Sequence, residues 1–153
     1  ADREIERQAG TTINTIFELE GESGFRARER AMLANLLGGD GIVLSTGGGA
    51  VLDADNRRLM RERGFVVHLQ VDVEQQLARL ARDRSRPLLA RGDREQVLHA
   101  LAQERAPLYA EVADLSFDTN IHTSSEAAAR LAQELDARWQ RLHAADRVHT
   151  EPT

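Results

Sequence analysis

Cysteine is absent from this 153-residue chain, which excludes disulfides, thiolate metal sites and cysteine nucleophiles. Lysine is absent as well, since all 20 basic residues are arginine. No mechanism that needs a lysine can run on these residues. Proline occurs three times and aromatic residues make up 4% of the chain. No apolar run approaches the ~20 residues that a membrane span needs, and no signal peptide opens the sequence. Basic charge is in deficit: 20 arginines face 25 acids, for a net charge of −5. That balance argues against a nucleic acid or a polybasic membrane surface as the main partner. A cytoplasmic, reducing setting is expected. What is present, 41% apolar and 29% charged residues, suits one globular domain with a real core.

The apolar pattern alternates between helical and strand periods. Ile5, Ala9, Ile13, Ile16 and Phe17 lie close to helical spacing, with a break near Gly10. Phe25, Met32, Leu33, Leu36 and Leu37 share one side of a helix over 22–37, which Gly38 and Gly39 end. Ile42, Val43 and Leu44 predict a short buried strand that stops at Gly47-Gly48-Gly49. A helix over about 53–63 follows, closed by Gly64, and then a strand over 65–69. Val73, Leu77 and Leu80 mark the next helix. Residues 83–92 lack periodicity and read as a mobile loop. Asp93 with Gln96 resembles a capping box for the helix of Val97, Leu98 and Leu101, which Pro107 is expected to break or kink. Leu115 to Phe117 is a third strand. Thr123 with Glu126 caps a last helix carrying Leu131, Leu135, Trp139 and Leu142. Strands separated by helices predict an α/β fold with a parallel sheet. Its functional positions should follow Leu44, Leu69 and Phe117, at the carboxyl ends of the strands.

Several groups could carry chemistry. The triple glycine exposes backbone N–H groups and permits close approach of a ligand, or it is simply a tight turn. It is not a GxGxxG fingerprint, and no GxxxxGK[ST] loop occurs in the chain. Six arginines (79, 82, 84, 86, 91 and 94) meet only Asp83 and Asp93 between residues 79 and 94. They suggest a lid over phosphates, against the plainer reading of a solvated helix end. Arg26 and Arg105 sit beside apolar anchors, and either could clamp a carboxylate or make a surface ion pair. Asp2 could hydrogen-bond a hydroxyl, accept its proton, or cap the first helix. The histidines at 68, 99, 122, 143 and 149 show no metal-ligand spacing. Tyr109 and Trp139 read as packing residues.

Taken in order, these blocks resemble the bacterial shikimate kinase family. The resemblance is carried by Asp2-x-Glu4-Ile5-Glu6; by Glu20-Gly21-Glu22-x-Gly24-Phe25-Arg26-x-Arg28-Glu29; and by Ile42 to Val51 with its three glycines. Asp83-Arg84-x-Arg86-Pro87-Leu88-Leu89 and Glu104-Arg105-x-Pro107-Leu108-Tyr109 complete it. It covers residues 1–143, with a lid at about 83–93 and a polar tail over 144–153. The resemblance implies a three-layer P-loop kinase fold. It implies transfer of a phosphoryl group from ATP, with Mg²⁺, to the 3-hydroxyl of shikimate in aromatic amino-acid biosynthesis. Arg26 and Arg105 match the arginines that hold the shikimate carboxylate, and Gly47, Gly48 and Gly49 match the backbone against the ring. Asp2 matches the aspartate on the hydroxyls, acting as base. Arg86 matches the lid arginine over the ATP phosphates, and His122 falls in the loop beside adenine. A monomer is implied for the complete enzyme.

The sequence departs from that family at its start. Ala1 opens the chain inside an Asp-x-Asp motif of which Asp2 is the second acid, so the strand, phosphate loop, helix and strand that precede it in the family are expected to lie elsewhere. The main Mg²⁺ ligands would lie there too. On that expectation this chain alone binds ATP poorly and turns over negligibly. Two other readings stay open: a non-catalytic shikimate-binding or regulatory module, and a kinase of another small metabolite such as gluconate.

Overall fold

The computed structural model describes residues 1–80, 94–120 and 123–148. The lid at 83–93, with Arg86 and the Asp93 cap, lies outside the described residues, as does His122. The first helix, α1 (Asp2–Ala9), ends at Gly10, whose φ of 67° lets its N–H reach the Glu6 carbonyl. The second, α2 (Ile13–Leu36), opens on Thr12, whose hydroxyl accepts from the Thr15 N–H. It is two helices joined at Gly21, which sits at φ 69°, ψ −174°. The division at residues 20–22 is therefore where the apolar pattern predicts it. A two-pronged ion pair between Arg28 and Glu20, at 2.7 and 2.8 Å, clasps the two halves across the kink. Ile5, Ile16, Phe25 and Met32 form a core between α1 and α2, with Phe17 packed on Phe25 at 4.8 Å.

A 3-10 turn over Ala50–Leu52 leads into α3 (Ala54–Arg63), capped by the Asp53 carboxylate on the Asn56 N–H. Burial by itself would push the Asp53 carboxyl up. The Asn56 N–H and the Arg30 charge outweigh it and hold the carboxyl below its ordinary value. Asn56 is 1% exposed and donates to the Ala50 carbonyl at 3.1 Å. Arg57 adds bonds to the carbonyls of Val51 and Leu52. These bonds fix the chain just after the triple glycine. Asn56→Ala is expected to cost about 1–3 kcal/mol by stranding the Ala50 carbonyl, measured by urea unfolding. A loss below about 0.3 kcal/mol would show that the turn holds without it.

The strands β1 (Val67–Gln70) and β2 (Leu115–Asp118) pair in parallel, Val67 opposite Leu115 and Gln70 opposite Asp118. Between them run α4 (Val73–Leu80) and α5 (Arg94–Val112). The Asp114 carboxylate accepts the Val66 N–H at 2.7 Å and locks the entry to both strands. The last helix, α6 (Ser124–Val148), begins with the expected capping box. Glu126 accepts from the Thr123 N–H, and Thr123 accepts from the Glu126 N–H. This helix runs through residues 144–148, the first half of the stretch expected to be tail. Among the described residues, no helix is long and apolar enough to cross a membrane.

One expectation needs correction, and another is narrowed. Ile42 to Leu44 is not a strand: among the described residues only β1 and β2 pair. Ile42 is half exposed and Val43 fully so. An apolar, β-branched run has the propensity for a strand, but it becomes one only beside a partner. Pro107 does not break its helix, since α5 runs unbroken from Arg94 to Val112. Proline's φ suits a helix, and its cost falls on the carbonyl four residues earlier. That residue, Gln103, is exposed like Pro107 itself, so its carbonyl is open to water. Leu98 and Val112, both buried, anchor the helix on either side of it.

Candidate functional site

The triple-glycine turn is where α1, α2 and α5 converge. The Ala1 backbone nitrogen, at the start of α1, donates to the Ser45 carbonyl at 2.6 Å. Asp2 follows in the first turn, exposed, where its charge suits the helix dipole. Ala1, rather than Asp2, holds the cap position.

From α2 comes Arg26. Its guanidinium donates to Glu29 at 2.7 Å and to Glu22 at 3.2 Å, and lies over the Phe25 ring. A Cβ placed on Gly49 would lie 2.7 Å from Arg26 Nη1 and 2.8 Å from its Cζ. From α5 comes Arg105, with Nη1 3.3 Å from the position a Cβ would take on Gly48. Tyr109, one turn further along α5, donates its hydroxyl to the Gly48 carbonyl at 2.8 Å. Gly48 and Gly49 are thus needed for space, whereas a Cβ on Gly47 would meet only Glu29, at an ordinary contact distance. Positive φ occurs at Gly10, Gly21 and Gly41 but not at Gly47, Gly48 or Gly49. The protein's own arginines and tyrosine take up the room that side chains at 48 and 49 would need.

Glu29 ties the cluster together. It is 1% exposed and stands 3.9 Å from the Cβ position of Gly47. Burial pushes its carboxyl above the ordinary value. The bond and charge of Arg26 pull it down, the Asp2 charge pushes it up, and Arg105 pulls it down again; the net direction is up. These fields show that Asp2, Arg26 and Arg105 all bear on one carboxylate. Burial also acts on Arg26 and would release its proton, but Glu29 and then Glu22 hold it, and its affinity ends above the ordinary value.

The two arginines differ in what they have left to give. Arg26 is engaged by two carboxylates, with only Nε buried and unpartnered. Arg105 makes no hydrogen bond or ion pair among the described residues, and its Nε is likewise buried without a partner. The site therefore offers one guanidinium bonded to two carboxylates and one that only feels the Glu29 charge and makes no hydrogen bond among the described residues, both against a glycine turn. An anionic group of fork-matching shape, such as a carboxylate, suits that pair.

Of the residues singled out in the sequence, Asp2, Arg26, Gly47, Gly48, Gly49 and Arg105 come together here. Sequence reasoning gave no role to Glu29, although it was legible: Phe25, Glu29, Met32 and Leu33 share one helix face, and an acid on an apolar stripe needs a partner. Tyr109 packs, as expected, but also holds Gly48. Its ring stacks on His68, centroids 4.3 Å apart and planes at 20°. Burial depresses the proton affinity of that histidine.

A second polar cluster follows the carboxyl ends of the strands. Thr119 donates to the Gln70 carbonyl at 2.8 Å, Arg79 to the Thr119 carbonyl at 2.8 Å, and the Asp72 N–H to Asn120 at 2.9 Å. It ties the loop after β1 to the loop after β2.

The family model described as shikimate kinase matches residues 1–136. A shikimate kinase of Stenotrophomonas maltophilia strain R551-3 is 58% identical over 140 residues, covering 92% of this chain and 78% of that protein. Among solved structures, shikimate kinase from Acinetobacter baumannii in complex with shikimate superposes with a TM-score of 0.85 at 45% identity, over 90% of this chain and 76% of that one. Shikimate kinase from Bacteroides thetaiotaomicron superposes with a TM-score of 0.78 at 28% identity, over 89% and 80% of the two chains.

Proposed function

The chain belongs to the shikimate kinase family, whose model matches it over residues 1–136, and on that premise we propose that Asp2, Arg26, the Gly47–Gly49 turn and Arg105 are the acceptor side of a kinase acting on shikimate. The observation that carries this reading is the Arg26–Arg105 pair set against the glycine turn, with Arg105 unpaired among the described residues. A planar guanidinium matches a carboxylate through two parallel hydrogen bonds. Arg105 holds the shikimate carboxylate. Arg26, kept in place by Glu29 and Glu22, borders it.

The ring lies over Gly48, and Asp2 accepts a hydrogen bond from the hydroxyl that reacts. As the 3-hydroxyl oxygen bonds to the γ-phosphorus of ATP, the bond to the β-phosphate oxygen breaks and ADP departs. The hydroxyl proton passes to the Asp2 carboxylate and on to water. Phosphoryl transfer asks the protein mainly for position and charge, and this cluster supplies position for the acceptor. ATP is the phosphoryl donor on this reading. Arg86 over its phosphates and His122 beside its base are proposed from the resemblance, as both lie outside the described residues. The family generally uses Mg²⁺. Among the described residues no three His, Asp or Glu side chains gather to hold a metal ion.

The test is ADP release by the intact protein with shikimate, shikimate methyl ester or gluconate as acceptor. Release is expected with shikimate, with KM for the ester raised about 100-fold by loss of the charge-assisted pair. Equal KM values for acid and ester would overturn the carboxylate clamp. Preference for gluconate would overturn the substrate.

A further inference from the structure

Tyr109 has no part in the chemistry above, yet it touches two of the site's components. It lies four residues after Arg105 on α5, so the two side chains share a face of the helix. Its hydroxyl is spent on the Gly48 carbonyl at 2.8 Å. Its ring is stacked on His68 of β1, a residue fixed by its pairing with Ser116 of β2. The ring is thus held from behind by the sheet and at its tip by the glycine turn.

We propose that Tyr109 is a positioning residue of the acceptor site, fixing the Gly48 turn against the Arg105 guanidinium. Three distances carry this. The Gly48 carbonyl is bonded to the tyrosine hydroxyl, and a Cβ on Gly48 would lie 2.7 Å from that hydroxyl and 3.3 Å from Arg105 Nη1. The tyrosine hydroxyl and the arginine therefore both crowd the same side of Gly48. Gly48 has no positive φ, so the glycine is required by this contact and not by its backbone. Arg105 has no hydrogen bond among the described residues that would orient it. Its Nη1 lies against the Gly48 turn that Tyr109 holds. Without the hydroxyl the turn is free to shift by tenths of an ångström, and the fork facing the carboxylate shifts with it. This inference rests on the shikimate reading above.

The test is calorimetric binding of shikimate to the intact protein and to Y109F, G48A, the double variant and R105A, with Tm recorded for each. Y109F keeps the ring and its stacking. It is expected to bind shikimate about 3- to 10-fold more weakly, the loss of one neutral hydrogen bond, with Tm within a few degrees of wild type. G48A is expected to lose more than Y109F, because its methyl strikes the hydroxyl. The double variant should then bind better than G48A alone, since the group that is struck has gone. A tyrosine with no bearing on the acceptor site would leave the loss from G48A unchanged in the double variant, so that the losses add. The amide resonances of Gly47 to Gly49 should move in Y109F while those of α6 do not, a reading that survives even a lowered Tm. Affinity of Y109F within twofold of wild type, with R105A impaired, would overturn the role of Tyr109 and leave the substrate reading standing. So would additive losses. No binding of shikimate by the wild-type protein would overturn the substrate reading, and this inference with it.

Discussion

Arg105→Ala is expected to weaken shikimate binding about 100-fold or more while leaving the protein about as stable as before. A charge-assisted hydrogen bond is worth about 1.5–3 kcal/mol and each tenfold in affinity about 1.4 kcal/mol, so losing a two-pronged pair costs at least two decades. Stability should change little, because no described group hydrogen-bonds to Arg105 and Glu29 loses only the smallest of the charges that act on it. Arg105→Lys should recover only part of the loss, because an ammonium restores the charge but not the planar fork. Calorimetry with shikimate, set beside urea unfolding of the same variants, separates the two effects. An R105A protein that binds within threefold of wild type would sink the assignment of the carboxylate to this residue.

Arg26→Ala is expected to fail in the opposite way, through the fold. Its guanidinium is the hydrogen-bonding partner of Glu29, which is 1% exposed. Breaking a buried pair from one side costs about 3–5 kcal/mol, because the partner is left as an uncompensated charge. Replacing both members, as in R26A/E29Q, should return much of that.

The pH dependence has a definite sign. The folded Glu29 carboxyl is raised, first by burial, so the folded state keeps its proton to higher pH than the unfolded chain does. Stability therefore falls as pH rises from the ordinary glutamate value of 4.5 to the raised folded value, and no penalty exists below that window. In R26A the downward pull of the arginine is gone, so the window widens upward. In E29Q this contribution to the slope disappears. Urea unfolding at several pH values from 4 to 8 reads all three. Equal slopes for wild type and E29Q, or an R26A protein as stable as wild type, would show that Glu29 is not the strained group of this site.

Much of the architecture is legible in the chain because its causes are local. Gly10 ends a helix through its own φ, Thr123 and Glu126 cap another within three residues, and the period of Phe25, Met32 and Leu33 shows which face is buried. Ile42 to Leu44 misleads for the complementary reason. Its strand propensity is local, but pairing is not, and no described segment lies beside it. At Pro107 the helix continues, because the carbonyl that proline deprives of a donor, that of Gln103, is open to water.

The residue types of the site, Asp2, Arg26, the three glycines and Arg105, are set by the sequence alone, since a carboxylate clamp needs forked cations and a tight turn needs small residues. Their meeting is a tertiary fact. Gly48 and Tyr109 are 61 residues apart, and only packing brings that hydroxyl to that carbonyl. Packing also decided that Glu29 bonds Arg26 and not Arg105, and that glycine at 48 and 49 answers to crowding and not to φ. Short-range rules reach one or two helical turns, whereas the division of charge between two arginines on different helices depends on which of them folding seats beside a buried acid.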